Sequence, residues 1–324
     1  MTTILASTCL VLGVPDDQAH SPSSSATLEK RLEGHRDGVF SVKAQPGGDL
    51  LCSASRDRTV GLFSVDDGSP MHRLEGHDNQ VLRVAFHPNG DLIASGGADN
   101  VAILWNVRTR KSERILKGHS NWVCDVAFNE VGDRLVTAGA DGTARIWNVT
   151  NGAQLAVFKV PGGEVWTAAF LRNGDVVTGG KDGVLRRWSI GRTEPSASAK
   201  GHANDLYSIA FAKDGRPATV GGDGKVVLWD EQLKIRSSWK VHDGHAYALA
   251  FLSEDRLATC GEDQSVRFWD VGSQREVSRG SDHKNAVYGV TALADGRLAS
   301  AGQDRIVRIW GISAESPSRS VGAR

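Results

Sequence analysis

Residues 76–106 read GHDNQVLRVAFHPNGDLIASGGADNVAILWN, and this one stretch decides the fold. Its runs VLRVAF, DLIAS and VAILW alternate apolar and polar residues with period two, as half-buried strands do. Between them stand HPNGD and ADN, built from the Pro, Asn, Gly and Asp that favour turns. The unit is therefore a set of short antiparallel strands that opens on Gly76-His77 and closes on Trp105.

The same unit recurs along the chain. The endings TVGLFS, VAILWN, TARIWN, VLRRWS, KVVLWD, SVRFWD and IVRIWG place Phe63, Trp105, Trp147, Trp188, Trp229, Trp269 and Trp310 at intervals of 42, 42, 41, 41, 40 and 41. Upstream lie Gly34-His35, Gly76-His77, Gly118-His119 and Gly201-His202. Two later units keep only the His, in Val241-His242 and Asp282-His283, and the fourth has Val160-Pro161 there. A fixed period of this length marks a repeat architecture. No unit can bury both faces of its own sheet, so four-stranded sheets must stack radially, which protects most strand edges. The expected fold is an all-β, seven-bladed β-propeller of antiparallel blades.

The Gly-His opening and Trp-Asp close at this period resemble the WD-repeat propeller family over Leu28–Ile312, almost the whole chain. The resemblance implies that each repeat supplies the outermost strand of one blade and the three inner strands of the next. LEKRLEGH (Leu28–His35) matches HRLEGH (His72–His77) and RILKGH (Arg114–His119). Leu28–Leu32 is thus expected to complete the seventh blade, closing the ring by strand exchange between the terminal repeats. The organisation that follows is an apolar segment and Ser-rich linker over 1–26, the propeller over 27–312, and a tail over 313–324.

Composition narrows the function classes. The 324 residues carry 38 Lys+Arg against 38 Asp+Glu, so no basic field attracts a nucleic acid. No apolar run reaches the roughly 18 residues of a spanning helix, so no membrane partner is expected. Cys9, Cys52, Cys124 and Cys260 form no CxxC pair. Neither a zinc site nor a disulfide framework is expected; buried free thiols in a reducing, cytoplasmic setting are. Thr3–Val14 has the length of a signal-peptide core, yet no Lys or Arg precedes Lys30 and no clean A-x-A site follows. A secreted or periplasmic binding protein is the alternative that segment leaves open.

Every unit has a Ser or Thr four residues before an Asp that precedes the aromatic by six: Ser53/Asp57, Ser95/Asp99, Thr137/Asp141, Thr178/Asp182, Thr219/Asp223, Thr259/Asp263 and Ser300/Asp304. Six of these units also carry a His upstream, namely His35, His77, His119, His202, His242 and His283. Ser, His and Asp are the parts of a nucleophilic triad, but a triad is one exposed, strained constellation and these are repeated strand positions. The family resemblance implies instead a buried network of Trp, Ser/Thr, His and Asp tying loops to strands. Blade 4, without a His, and blade 1, where Phe63 has no indole N–H, are expected to be the least well tied. No P-loop, dinucleotide fingerprint, HExxH, nucleophile elbow, haem or calcium motif occurs. No enzyme, cofactor or metal is expected.

Specific recognition must come from positions where the repeats differ. Just after the first apolar residue of each innermost strand stand Phe40, Leu82, Cys124, Trp166, Tyr207, Tyr247 and Tyr288, which include all three tyrosines of the chain. In resembling propellers this register lies near the mouth of the central channel, where peptides dock. Flanking registers bring Glu164, Asp205 and Glu262 to the same side. The expected site is a rim of Phe40, Trp166, Tyr207, Tyr247 and Tyr288 with Asp205 and Glu262, suited to a protein or peptide with a basic segment. Packing between blades is the competing role for the same rings. The expected function is a non-catalytic interaction scaffold, a monomeric propeller within a larger complex. Trp105–Arg108 (WNVR) faintly resembles the WD-x-R motif of ubiquitin-ligase substrate receptors, with Asn106 in the Asp position, which gives a second alternative.

Overall fold

A computed structural model describes residues 24–66 and 71–312, and among them every regular element is a strand. Seven sheets follow one plan of four antiparallel strands from the channel outward, in chain order in the first six; the seventh takes its outer strand from the N-terminal end of the described chain, and the sixth carries one short extra strand at its edge. In blade 2 these are Val81–Phe86, Leu92–Gly97, Val101–Asn106 and Ser112–Lys117, all paired antiparallel. The innermost strands Val39–Ala44, Val81–Phe86, Val123–Phe128, Val165–Phe170, Leu206–Phe211, Ala246–Phe251 and Val287–Ala292 stand side by side around the ring, the last against the first.

Each blade is too thin to own a core, so the core is divided among the seven blade interfaces. Between blades 1 and 2, for example, Cys52, Val60 and Leu62 pack on Val81, Val84, Ile93 and Trp105. The aromatic that closes each repeat is buried at such an interface; Trp188 and Trp229 are 0% exposed. Strand-end glycines let blades approach closely: a Cβ on Gly179 would meet Leu206 Cδ2 at 2.4 Å.

The ring closes by the expected exchange. Thr27–Leu32 pairs antiparallel with Val307–Gly311, with Leu28 opposite Trp310. Lys30 Nζ donates to Val65 O at 2.7 Å on blade 1, and Arg31 Nη2 donates to Asp282 Oδ1 at 2.7 Å. Asp282 also binds Arg308 Nε at 2.7 Å, so the seam is locked from both chain ends.

The paired chain begins before residue 27. Ser24–Ser25 runs parallel to Ser278 and Arg279 on the outer strand of blade 6. Ala26 donates its amide to Arg279 O at 3.0 Å and is buried with the core of blades 6 and 7. Thr3–Val14 and the tail 313–324 lie outside the described residues.

Candidate functional site

The triad-like residues come together in six of the seven blades, in a structural arrangement. In blade 3, Trp147 Nε1–H donates to Thr137 Oγ1 at 3.0 Å, Thr137 Oγ1 meets His119 Nε2 at 2.7 Å, and His119 Nδ1 meets Asp141 Oδ2 at 2.9 Å. The order fixes the protons: the indole donates to the hydroxyl, the hydroxyl to Nε2, and Nδ1–H to the carboxylate. Asp141 also accepts the amides of Ser120 and Thr143, both at 3.0 Å, and so ties two loops to the strand. The same chain links His77, Ser95, Asp99 and Trp105, and likewise His202, Thr219, Asp223 and Trp229. It recurs through His242, Thr259, Asp263 and Trp269 and through His283, Ser300, Asp304 and Trp310. Each hydroxyl is 0% exposed and already bonded, which leaves it no access to a substrate.

Burial lowers His119, His242 and His283 below the ordinary imidazole value, in keeping with neutral rings. For Asp223 and Asp304 burial opposes ionisation. Hydrogen bonds from His202 and His283 and from the loop amides outweigh it and hold both carboxyls at about 2.

Of the two blades expected to be weakly tied, blade 4 gives its network Asp an arginine partner, and blade 1 keeps the Ser, His and Asp contacts without an indole donor. In blade 4, Arg186 takes the place of the histidine and donates to Asp182 from Nη2 at 2.5 Å and Nη1 at 3.2 Å, while Trp188 still donates to Thr178 at 2.9 Å. In blade 1, His35 bridges Ser53 and Asp57 at 2.6 and 2.8 Å and packs edge-on to Phe63. An Arg four residues after the network Asp was a readable signal, since Arg145, Arg267 and Arg308 repeat it in blades 3, 6 and 7.

The rim register proves to be a ring of β-bulges. Pairing in blade 1 steps from Val39 opposite Ser55 to Ser41 opposite Ala54, which leaves Phe40 out of the ladder. The same step leaves out Leu82, Cys124, Trp166, Tyr207, Tyr247 and Tyr288. A bulged residue is freed from the pleat and its side chain is re-aimed.

Four of these side chains form a continuous arc across blades 5, 6, 7 and 1. Ring centroids lie 5.5 Å apart for Tyr207 and Tyr247, 5.1 Å for Tyr247 and Tyr288, and 5.5 Å for Tyr288 and Phe40. The rings touch across blade boundaries and yet stay half-buried, so packing and an open face coexist. His245 lies 5.7 Å from both Tyr207 and Tyr247. Trp166, the fifth aromatic, joins by another route: its Nε1–H donates to Asp205 Oδ1 at 2.7 Å. Across the mouth, Trp122 is 48% exposed.

The acidic residues of the rim are partly engaged. Asp205 holds Trp166, Glu164 pairs with Lys181 at 3.0 Å, and Glu262 Oε2 accepts the His245 amide at 3.1 Å while its side chain stays exposed. Burial, helped by the charges of Asp205 and Glu262, pushes the Tyr207 phenol up to about 12; burial and Glu262 raise Tyr247 as well. At neutral pH these phenols are hydrogen-bond donors beside a carboxylate. The arrangement can stack a flat group, attract a cation to ring faces and bond a polar tip. Among the described residues no three His, Cys, Asp or Glu side chains gather so as to hold a metal ion.

Comparison with known families agrees with this geometry. The family model described as WD domain, G-beta repeat matches residues 26–64, 68–106, 110–148, 152–189, 193–230, 234–270 and 275–311. No curated protein matches the chain significantly.

Proposed function

The chain belongs to the WD-repeat family, whose fold serves generally as a protein-interaction scaffold, and from that premise we propose that it is non-catalytic and docks an extended segment of a protein partner on the aromatic arc. The observation that carries this reading is the unbroken, half-exposed run of Tyr207, Tyr247, Tyr288 and Phe40 on bulged positions. Bulges that re-aim side chains recur beside functional sites, and large aromatics are the commonest anchors of protein interfaces. A basic side chain of the partner lies over the tyrosine faces, with exposed Glu262 close by and Asp205 holding Trp166 in place. Trp122 supplies a second anchor on the far side of the mouth.

Two further features belong to the same proposal. The protein acts as a single propeller within a larger complex, in the cytoplasm, where buried free thiols such as Cys52, Cys124 and Cys260 stay reduced. Its balanced charge favours protein over nucleic acid as the partner.

Affinity purification with two baits tests the docking reading. Wild type should retain a partner that the Tyr247→Ala/Tyr288→Ala double variant loses while still folded. Identical partner sets on both baits would overturn it.

A further inference from the structure

The central channel holds a cavity of about 280 Å³ whose charged lining comes from blades 1 to 3, as Lys43, Arg83 and Asp125. Arg83 and Asp125 occupy the layer just past the bulges, where the neighbouring blades offer Ser41 and Ser208. Lys43 lies one layer further along, where Ala85, Ala127 and Ala169 leave room around it.

The three charges are unequally satisfied. Asp125 is held on both oxygens: Oδ2 accepts Thr167 Oγ1 at 2.8 Å and the Ala168 amide at 3.2 Å, and Oδ1 accepts the Val126 amide at 2.9 Å. Arg83 donates through Nη1 only to main-chain oxygens, Phe40 O at 3.2 Å and Leu82 O at 3.4 Å. Among the described residues Lys43 Nζ has neither a hydrogen bond nor an ion pair, and it is open to the channel although protein surrounds it. Two cations thus face one cavity whose single carboxylate is already bonded elsewhere. Desolvation by the surrounding protein lowers the Lys43 pKa; the Asp125 carboxylate works against this and the Arg83 charge adds to it, so the net lowering is what an anion between the two cations would relieve.

We propose that this cavity binds one small oxyanionic group, a phosphate or a carboxylate, between the Lys43 ammonium and the Arg83 guanidinium. Arg83 keeps nitrogens free for a charge-assisted bond, and the Ser41 and Ser208 hydroxyls lie within the same lining. The volume sits just below the roughly 300 Å³ at which drug-sized sites begin, which fits a single compact group. The site is distinct from the aromatic arc, sharing only Tyr288 with it.

Two sources could present such a group: a free oxyanion, or an acidic side chain of a docked segment. Calorimetric titration of the full chain with inorganic phosphate, and separately with triglutamate, distinguishes them. At least one probe should bind saturably with one site per chain. Binding of phosphate alone identifies a free oxyanion as the source, and binding of triglutamate alone identifies a peptide carboxylate. Lys43→Gln, which breaks no protein hydrogen bond, should weaken binding about ten-fold or more. Asp125→Asn should tighten it several-fold by removing the competing charge. Tyr247→Ala should leave it unchanged, which separates failure of this site from failure of the rim. Absence of saturable binding by either probe, equal affinity in Lys43→Gln, or weaker binding in Asp125→Asn would overturn the proposal.

Discussion

Replacing Thr137 by valine tests whether the triad-like residues are a structural network, and blade 4 supplies a control within the same molecule. Thr137 and Thr178 are both 0% exposed. Both accept an indole N–H, from Trp147 at 3.0 Å and from Trp188 at 2.9 Å. Only Thr137 also meets a histidine, His119 Nε2 at 2.7 Å. The change to valine keeps the volume and removes the hydroxyl. It strands one buried group in blade 4 but two in blade 3, the indole N–H and the imidazole nitrogen. Each stranded group costs roughly 1 to 3 kcal/mol, offset by about 1 kcal/mol for burying a methyl where the hydroxyl stood. The expected losses are about 1 kcal/mol for Thr178→Val and about 3 kcal/mol for Thr137→Val. Urea melts with an unchanged slope measure both. Equal losses, or a larger loss in blade 4, would refute the idea that the hydroxyl links histidine to tryptophan.

Two other predictions concern closure and pH. Deleting residues 1–33 removes the strand on Val307–Gly311 with its Lys30 and Arg31 contacts and should lower the melting temperature by about 10 °C. Deleting 1–20 spares that strand, and equal melting temperatures for the two truncations would rule out closure by it. His119, His242 and His283 bind protons less readily folded than unfolded, so stability should fall as pH drops below about 6.5. Asp223 and Asp304, held at about 2, contribute stability above the ordinary carboxyl value of roughly 4 that is lost as pH falls from there through about 2. A melting temperature that stays flat between about pH 7 and about pH 5 would contradict the neutral, buried histidines.

Much of the scaffold was legible because each of its positions does the same job several times. The Gly-His pairs, network Asp and closing Trp repeat for that reason, and LEKRLEGH revealed the closing strand by matching two internal repeats. The bulges were written less openly. VLRVAF reads as a plain alternating strand, but its buried Val81 and Val84 are three apart, as are Val39 and Val42. That extra residue in the alternation is the trace of the bulge. The channel charges left no such trace, since Lys43, Arg83 and Asp125 each stand in one blade only and their convergence depends on ring closure. Ser24 and Ser25 join blade 6 through backbone bonds, which carry little side-chain signature in a Ser-rich stretch.

The central claim is that the bulged aromatics form a partner site, and Tyr247 is its most telling member because it touches Tyr207, Tyr288 and His245. The direct measurement is the dissociation constant of the captured partner for wild type and Tyr247→Ala, with the melting temperature of each. A docking arc predicts a loss of about 2 kcal/mol or more, roughly thirty-fold in affinity, with the melting temperature little changed. A ring that serves only to pack blades together predicts unaltered affinity and a lowered melting temperature, and that result would contradict the account.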